Sequence, residues 1–160
     1  MLARSARTVL DAIGRGRAEL SVVLTTDAEI RALNREWRGR DRPTDVLSFS
    51  LIEGPAPAVT ALGDVVISLE TARRQALENG WTLAEEVDRL LVHGVLHLVG
   101  YDHEVSPAEA RRMQRKERAI LGRLAADLSA ARARRGSSRG ARARRAPRTL
   151  PARRRRRPCR

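Results

Sequence analysis

The apolar positions of the chain change period several times, and each change predicts an element. Over residues 3–13, Val9, Leu10 and Ile13 recur at helical spacing until Gly14 and Gly16, so a short amphipathic helix is expected first. Residues 19–25 (ELSVVLT) alternate instead, and a strand with Leu20, Val22 and Leu24 turned inward is expected. Thr26 and Glu29 have the spacing of a capping box, which opens a helix to about Trp37 with Ile30, Leu33 and Trp37 on its buried face. Gly39, Asp41 and Pro43 then make a loop, and residues 45–51 resume as an apolar strand. Residues 53–60, with Pro55 and Pro57, read as a flexible connection, and residues 61–68 (ALGDVVIS) as a buried strand.

Beyond this point the period is helical. Residues 69–79 form a helix that stops at Gly80, and Thr82 with Glu85 caps another that carries Val87, Leu90 and Leu91 into the run LLVHGVLHLVG. Gly100 ends that run, because a glycine at a helix end takes the left-handed conformation that lets the chain turn back. Ser106, Pro107 and Glu109 give the cap, first-turn proline and capping acid of a last helix, through Met113, Ile120 and Leu124 to about Leu128. The order of elements predicts an α+β fold, a small mixed β-sheet packed against several helices.

Charge divides the chain in two. Residues 129–160 contain fourteen arginines and no acidic residue, while the whole chain has a net charge of +13, so the basic character belongs to the tail. That tail has three prolines and almost no large apolar residue, and its expectation is disorder. Residues 1–128 then make the one folded domain. Two readings of such a tail stand equal: an arm that holds phosphate backbones through counterion release, or a solvated low-complexity extension without that role. No stretch is long and apolar enough for a membrane span, and a single cysteine, Cys159, forms no intramolecular disulfide; a cytoplasmic protein is the simplest expectation. The four aromatics, Trp37, Phe49, Trp81 and Tyr101, are too scattered to suggest a base-stacking platform.

Chemistry concentrates between residues 90 and 104, which hold all three histidines. His93 and His97 are four apart, so on a helix both face the same way and can grip one ion. The turn at Gly100 can bring His103 to the same place. Three nitrogen ligands without sulfur suit Zn2+, and an ion with three protein ligands keeps a fourth position for water, as catalytic sites do. Asp64 is the odd residue in its strand: a carboxylate there costs several kcal/mol unless paired. It is expected at an edge, capping a loop or serving the site, with structural pairing the first expectation.

HGVLHLVGYDH (93–103) resembles the HGxLHLxGYDH signature of the YbeY family of bacterial rRNA-maturation endoribonucleases, and WRGRDRPTDVLSF (37–49) and ALGDVVIS resemble two further segments of it. The histidine spacing is also similar to the HExxHxxGxxH motif of metzincin proteases, so a zincin-like histidine helix is expected. The protease motif, however, requires a glutamate as general base where this chain has Gly94. The resemblance implies a zinc-dependent endoribonuclease that hydrolyses single-stranded RNA in rRNA processing (16S rRNA 3′-end maturation) and ribosome quality control. It implies one Zn2+ on His93, His97 and His103, and partners that are RNA and the ribosome or a ribosomal subunit, with neither membrane nor DNA. Arg38 and His97 are the candidate catalytic residues. Arg38 is singled out by the resemblance; composition alone reads Arg38, Arg40 and Arg42 as a solvated loop. Asp102, beside His103, is expected either to orient a ligand or to cap the turn, and Asp64 is the other candidate near the ligands. The family begins with an additional strand that these residues lack, so the expectation is either a sheet one strand short or a true N-terminus upstream of Met1, and in both cases an exposed sheet edge in the residues given. The alternative reading, from another class, is a ribosome-associated RNA-binding or assembly factor whose zinc site is structural.

Overall fold

The computed structural model describes residues 1–51 and 61–143, the side chains of 132–143 excepted. Its elements are α1 (Leu2–Ala12), β1 (Glu19–Thr25), α2 (Asp27–Arg38), β2 (Val46–Ser50), β3 (Ala61–Ser68), α3 (Leu69–Asn79), α4 (Leu83–Leu98) and α5 (Pro107–Ala143). The connection expected at 53–60 lies outside the described residues. Both capping boxes form: Thr26 with Glu29 opens α2, and Thr82 with Glu85 opens α4.

The strands lie in the order β1-β3-β2, with β1 parallel and β2 antiparallel to β3. A central strand is covered on both faces, which is why β3 reads as a nearly continuous apolar run. On one face Val65 and Ile67 join Leu91, Val92 and Val95 of α4, Val9 of α1, and Met113, Ile120 and Leu124 of α5. On the other, Val66 and Leu47 meet Ile30 of α2, with Leu33 and Phe49 beside them. Asp27, the first residue of α2, fastens this second layer: it accepts hydrogen bonds from Ser68 Oγ and Thr71 Oγ1 at 2.5 and 2.6 Å and pairs with Arg74. Those bonds hold its carboxyl down at about 2.

Three expectations are corrected. Leu24 is not turned into the core but exposed, because α4 covers β2 and β3, whereas β1 is an edge strand whose far end has no such cover. Trp37 is 64 % exposed. The inward stripe of α2 is formed by Ile30 and Asn34, and Asn34 Nδ2 donates to the Arg42 carbonyl at 2.8 Å, pinning the basic loop. The small apolar layer under α2 ends before its last turn, and Trp37 meets Phe49 edge-on there, centroids 5.8 Å apart. Finally, α5 continues to Ala143 instead of ending near Leu128. Alanine and arginine are both strong helix formers, and the first proline of this region is Pro147. The compact unit nevertheless closes at Ala126, with Asp127 onward a second unit. The disorder expected for the remainder of the tail falls on residues 144–160, outside the described ones.

Candidate metal centre

Helix α4 is buried on most of its circumference, from Val87 through Leu91 and Val95 to Leu98, which fixes its rotation against the sheet. Its last two turns also hang from β2 by side chains: Ser48 Oγ donates to the Gly94 carbonyl at 3.1 Å and Ser50 Oγ to the Leu98 carbonyl at 3.3 Å. The second bond satisfies a carbonyl that the helix end leaves without an intrahelical partner. His93 and His97 emerge from this mount one turn apart, partly buried. Gly100, at φ +88°, reverses the chain, and Tyr101 N–H closes on the Leu96 carbonyl at 3.0 Å. His103 is thereby returned to the other two.

The three rings have centroids 4.7, 5.2 and 5.2 Å apart, and one nitrogen from each lies within 4.8 Å of the others. His93 Nε2 and His97 Nε2 stand 3.1 Å apart. Two nitrogens on a tetrahedral ion with Zn–N of 2.0–2.1 Å would be about 3.3 Å apart. The donor set therefore fits a divalent ion. The ring of His93 is also held in the required tautomer, since its Nδ1–H donates to Glu117 Oε1 of α5 at 2.7 Å. That leaves the Nε2 lone pair free for the centre. Burial above all, then the charges of His93 and His103, press the His97 imidazole below its ordinary pKa; Asp102 opposes and Arg38 adds to the effect. A neutral His97 is a ready ligand.

Glu117 is the residue that sequence reasoning missed. It lies on the charged face of α5, twenty-four positions from His93, with nothing local to set it apart from the other acids there. We expect Glu117→Gln to weaken divalent-ion affinity by 10- to 100-fold, the range for loss of such a supporting carboxylate. Competition against a chromophoric chelator measures it, and an unchanged affinity would show that the hydrogen bond does not orient the ligand.

The other candidates separate. Asp102 caps the turn, its Oδ1 accepting from Glu104 N–H at 2.8 Å. Asp64 is on the central strand, not at an edge, and alternation places it on the opposite face from Val65, which packs under Gly94 of the histidine helix. The structure therefore does not bring Asp64 to the histidines. Arg38 is exposed at the last position of α2, and its charge is felt at His97.

Gly94 has a packing reason. A Cβ there would lie 2.8 Å from Val65 Cγ1 and 2.9 Å from Ser48 Oγ, so a side chain at 94 points into the sheet, away from the histidines. A glutamate at this position has no room to act as a protease base. Gly94→Ala is expected to destabilise the fold by about 1–3 kcal/mol by overpacking. Denaturant unfolding is the check, and a midpoint equal to the unmodified protein's would contradict this packing.

The family model described as Endoribonuclease YbeY matches residues 2–125. Relatives named Endoribonuclease YbeY include one from Anaeromyxobacter sp. (strain Fw109-5), 58% identical over 112 residues, covering 70% of this chain and 57% of that protein. Another, from Pelotomaculum thermopropionicum, is 53% identical over 129 residues, covering 78% of this chain and 84% of that one. The chain thus spans little more than half the length of the Anaeromyxobacter relatives it matches. Among solved structures, the solution structure of TM1509 from Thermotoga maritima is similar at TM-score 0.60 and 28% identity, covering 81% of this chain and 84% of that one. With the match extending across the sheet, the arginine loop and the histidine helix alike, the chain belongs to the YbeY endoribonuclease family.

Proposed function

We propose that this protein is a zinc-dependent endoribonuclease that hydrolyses phosphodiesters of single-stranded RNA, acting on ribosomal RNA (16S rRNA 3′-end maturation) and in ribosome quality control, in the cytoplasm and in contact with the ribosome or a ribosomal subunit. The observation that carries the reading is the convergence of three imidazole nitrogens with no fourth histidine, cysteine or carboxylate joining them among the described residues. A Zn2+ held there supplies Lewis-acid chemistry, polarising a phosphoryl oxygen and lowering the pKa of water. His93, His97 and His103 hold it, and Glu117 fixes the His93 ring. Arg38, with a planar fork matched to two phosphate oxygens, clamps the scissile phosphate and opposes the charge that builds on it.

The test incubates the zinc-loaded full chain with single-stranded RNA beside its His97→Ala variant. Both carry the same arginine-rich segment, so any RNA retention due to that segment is common to both. Cleavage by the unmodified protein alone supports the reading. Equal cleavage by both proteins points to a contaminating nuclease. Cleavage by neither, with zinc bound, removes the free-enzyme reading and favours the ribosome-associated assembly factor.

A further inference from the structure

An exposed tryptophan is an unusual use of a large apolar surface, and the two tryptophans of this chain are used differently. Trp81 has the Arg89 guanidinium over its ring at 4.1 Å. Trp37 is 64 % exposed, and its contact with Phe49 is edge-type at 72°, which leaves most of the indole in solvent. The next residue, Arg38, lines a cleft of about 200 Å³ together with Arg40, Arg42, Asn34 and Thr44. Among the described residues no carboxylate pairs with the side chains of Arg38, Arg40 or Arg42; of the two acids between α2 and β2, Asp41 is engaged by Arg31 in a two-pronged pair at 2.8 and 3.0 Å, and Asp45 accepts from Thr44, Val46 N–H and Gln75. The cleft is polar and cationic, and it is held in shape by Asn34 on the Arg42 carbonyl. Trp37 itself does not line the cleft but packs on Phe49, which clusters with Leu47 of the cleft wall. An open aromatic face next to a cationic cleft is the combination that binds single-stranded nucleic acid, bases stacking while the cations track the backbone.

We propose that Trp37 and the cleft of Arg40 and Arg42 form a subsite for single-stranded RNA, in which one base stacks on the Trp37 indole and a neighbouring phosphate lies between the two arginines. This rests on the RNA-cleavage reading and extends it from the metal centre to the far side of Arg38. Arg38 and Val46 both line the cleft, and Val46 also packs against Gly94 of the histidine helix, its Cγ2 3.3 Å from where a Cβ at 94 would lie, so the cleft abuts the mount of the histidines. A strand held on Trp37 is thereby delivered past Arg38 toward the histidines. Trp37 is a positioning residue here, contributing binding and not chemistry.

The experiment uses the full chain with Trp81→Phe, so that emission reports on Trp37 alone. Titration with a single-stranded oligoribonucleotide in the presence of a chelator, which keeps the RNA intact, should quench that emission saturably. In zinc-loaded protein, Trp37→Ala should raise KM for the same RNA by about 5- to 100-fold, the range for one stacked base, with kcat within about twofold. Trp37→Tyr should restore most of the loss. Moving a single abasic position along the oligonucleotide should locate one place where the unmodified protein binds as weakly as Trp37→Ala. Absence of quenching, or equal binding by the Trp37→Ala and unmodified proteins, overturns the subsite, including the case in which both bind equally through the arginine-rich segment. Quenching and weakened binding by Trp37→Ala in a protein that cleaves nothing would uphold the subsite and overturn the nuclease reading instead.

Discussion

His97→Ala is expected to lose the bound divalent ion and to lower RNA cleavage by on the order of 10³-fold or more, while the ion-free protein unfolds at nearly the same temperature as unmodified ion-free protein. The first part follows from geometry, because two remaining imidazoles hold an ion far less well than three. The second follows from where the stability comes from. Val92, Val95 and Leu96 are fully buried around the histidines by packing of α4 against the sheet, α1 and α5, and no step of that packing passes through the ion. Alanine is also the better helix former. The ion-loaded proteins should nonetheless differ in melting temperature, since an ion that binds only the folded state adds stability by mass action. Metal analysis after dialysis, cleavage rate and paired melts with and without zinc separate these terms. If unmodified protein unfolds on chelation, the site is structural and the assembly-factor reading gains. Acid sensitivity has a sign too: His97 is held neutral to lower pH than an ordinary imidazole, so its own protonation releases the ion only below that ordinary value.

Most of the site was legible because its information is local. The spacing of His93 and His97, the break at Gly100 and the cap at Ser106 each depend on a few neighbouring residues, and Ser106 Oγ does accept the Glu109 N–H at 3.2 Å. The boundaries of α2, β3, α3 and α4 followed for the same reason, each being set by a capping residue, a glycine or a change of period. What escaped was the contact between distant residues. Glu117 reaches His93 from another helix, and Asp64 looked like a candidate for the site until strand alternation placed it on the far face. Trp37 and Leu24 fit their apolar stripes, but a stripe does not say how far the covering surface extends. The glycine of the signature needed the structure as well: its sequence meaning was the missing protease base, and its physical meaning is the 2.8 Å approach to Val65.

Arg38→Ala is expected to lower kcat by about 10²-fold while leaving ion affinity within about twofold, the loss typical when one donor to a developing oxyanion is removed. The side chain is exposed and has no carboxylate partner among the described residues, so its removal strands no buried charge and costs little stability. Its influence on the ion is indirect: its charge helps press His97 toward the neutral form, behind burial and the two other histidines, and their contributions remain in the variant. Arg38→Lys should recover only part of kcat, because an ammonium supplies the charge without the planar fork. Together with Trp37→Ala this gives a division of labour that kinetics can read, kcat falling for the residue at the phosphate and KM rising for the residue at the base. Loss of the ion in Arg38→Ala would make the arginine part of the metal site's architecture. An unchanged kcat would leave the ion and its three histidines as the whole of the chemistry, and would confine the basic loop to holding RNA.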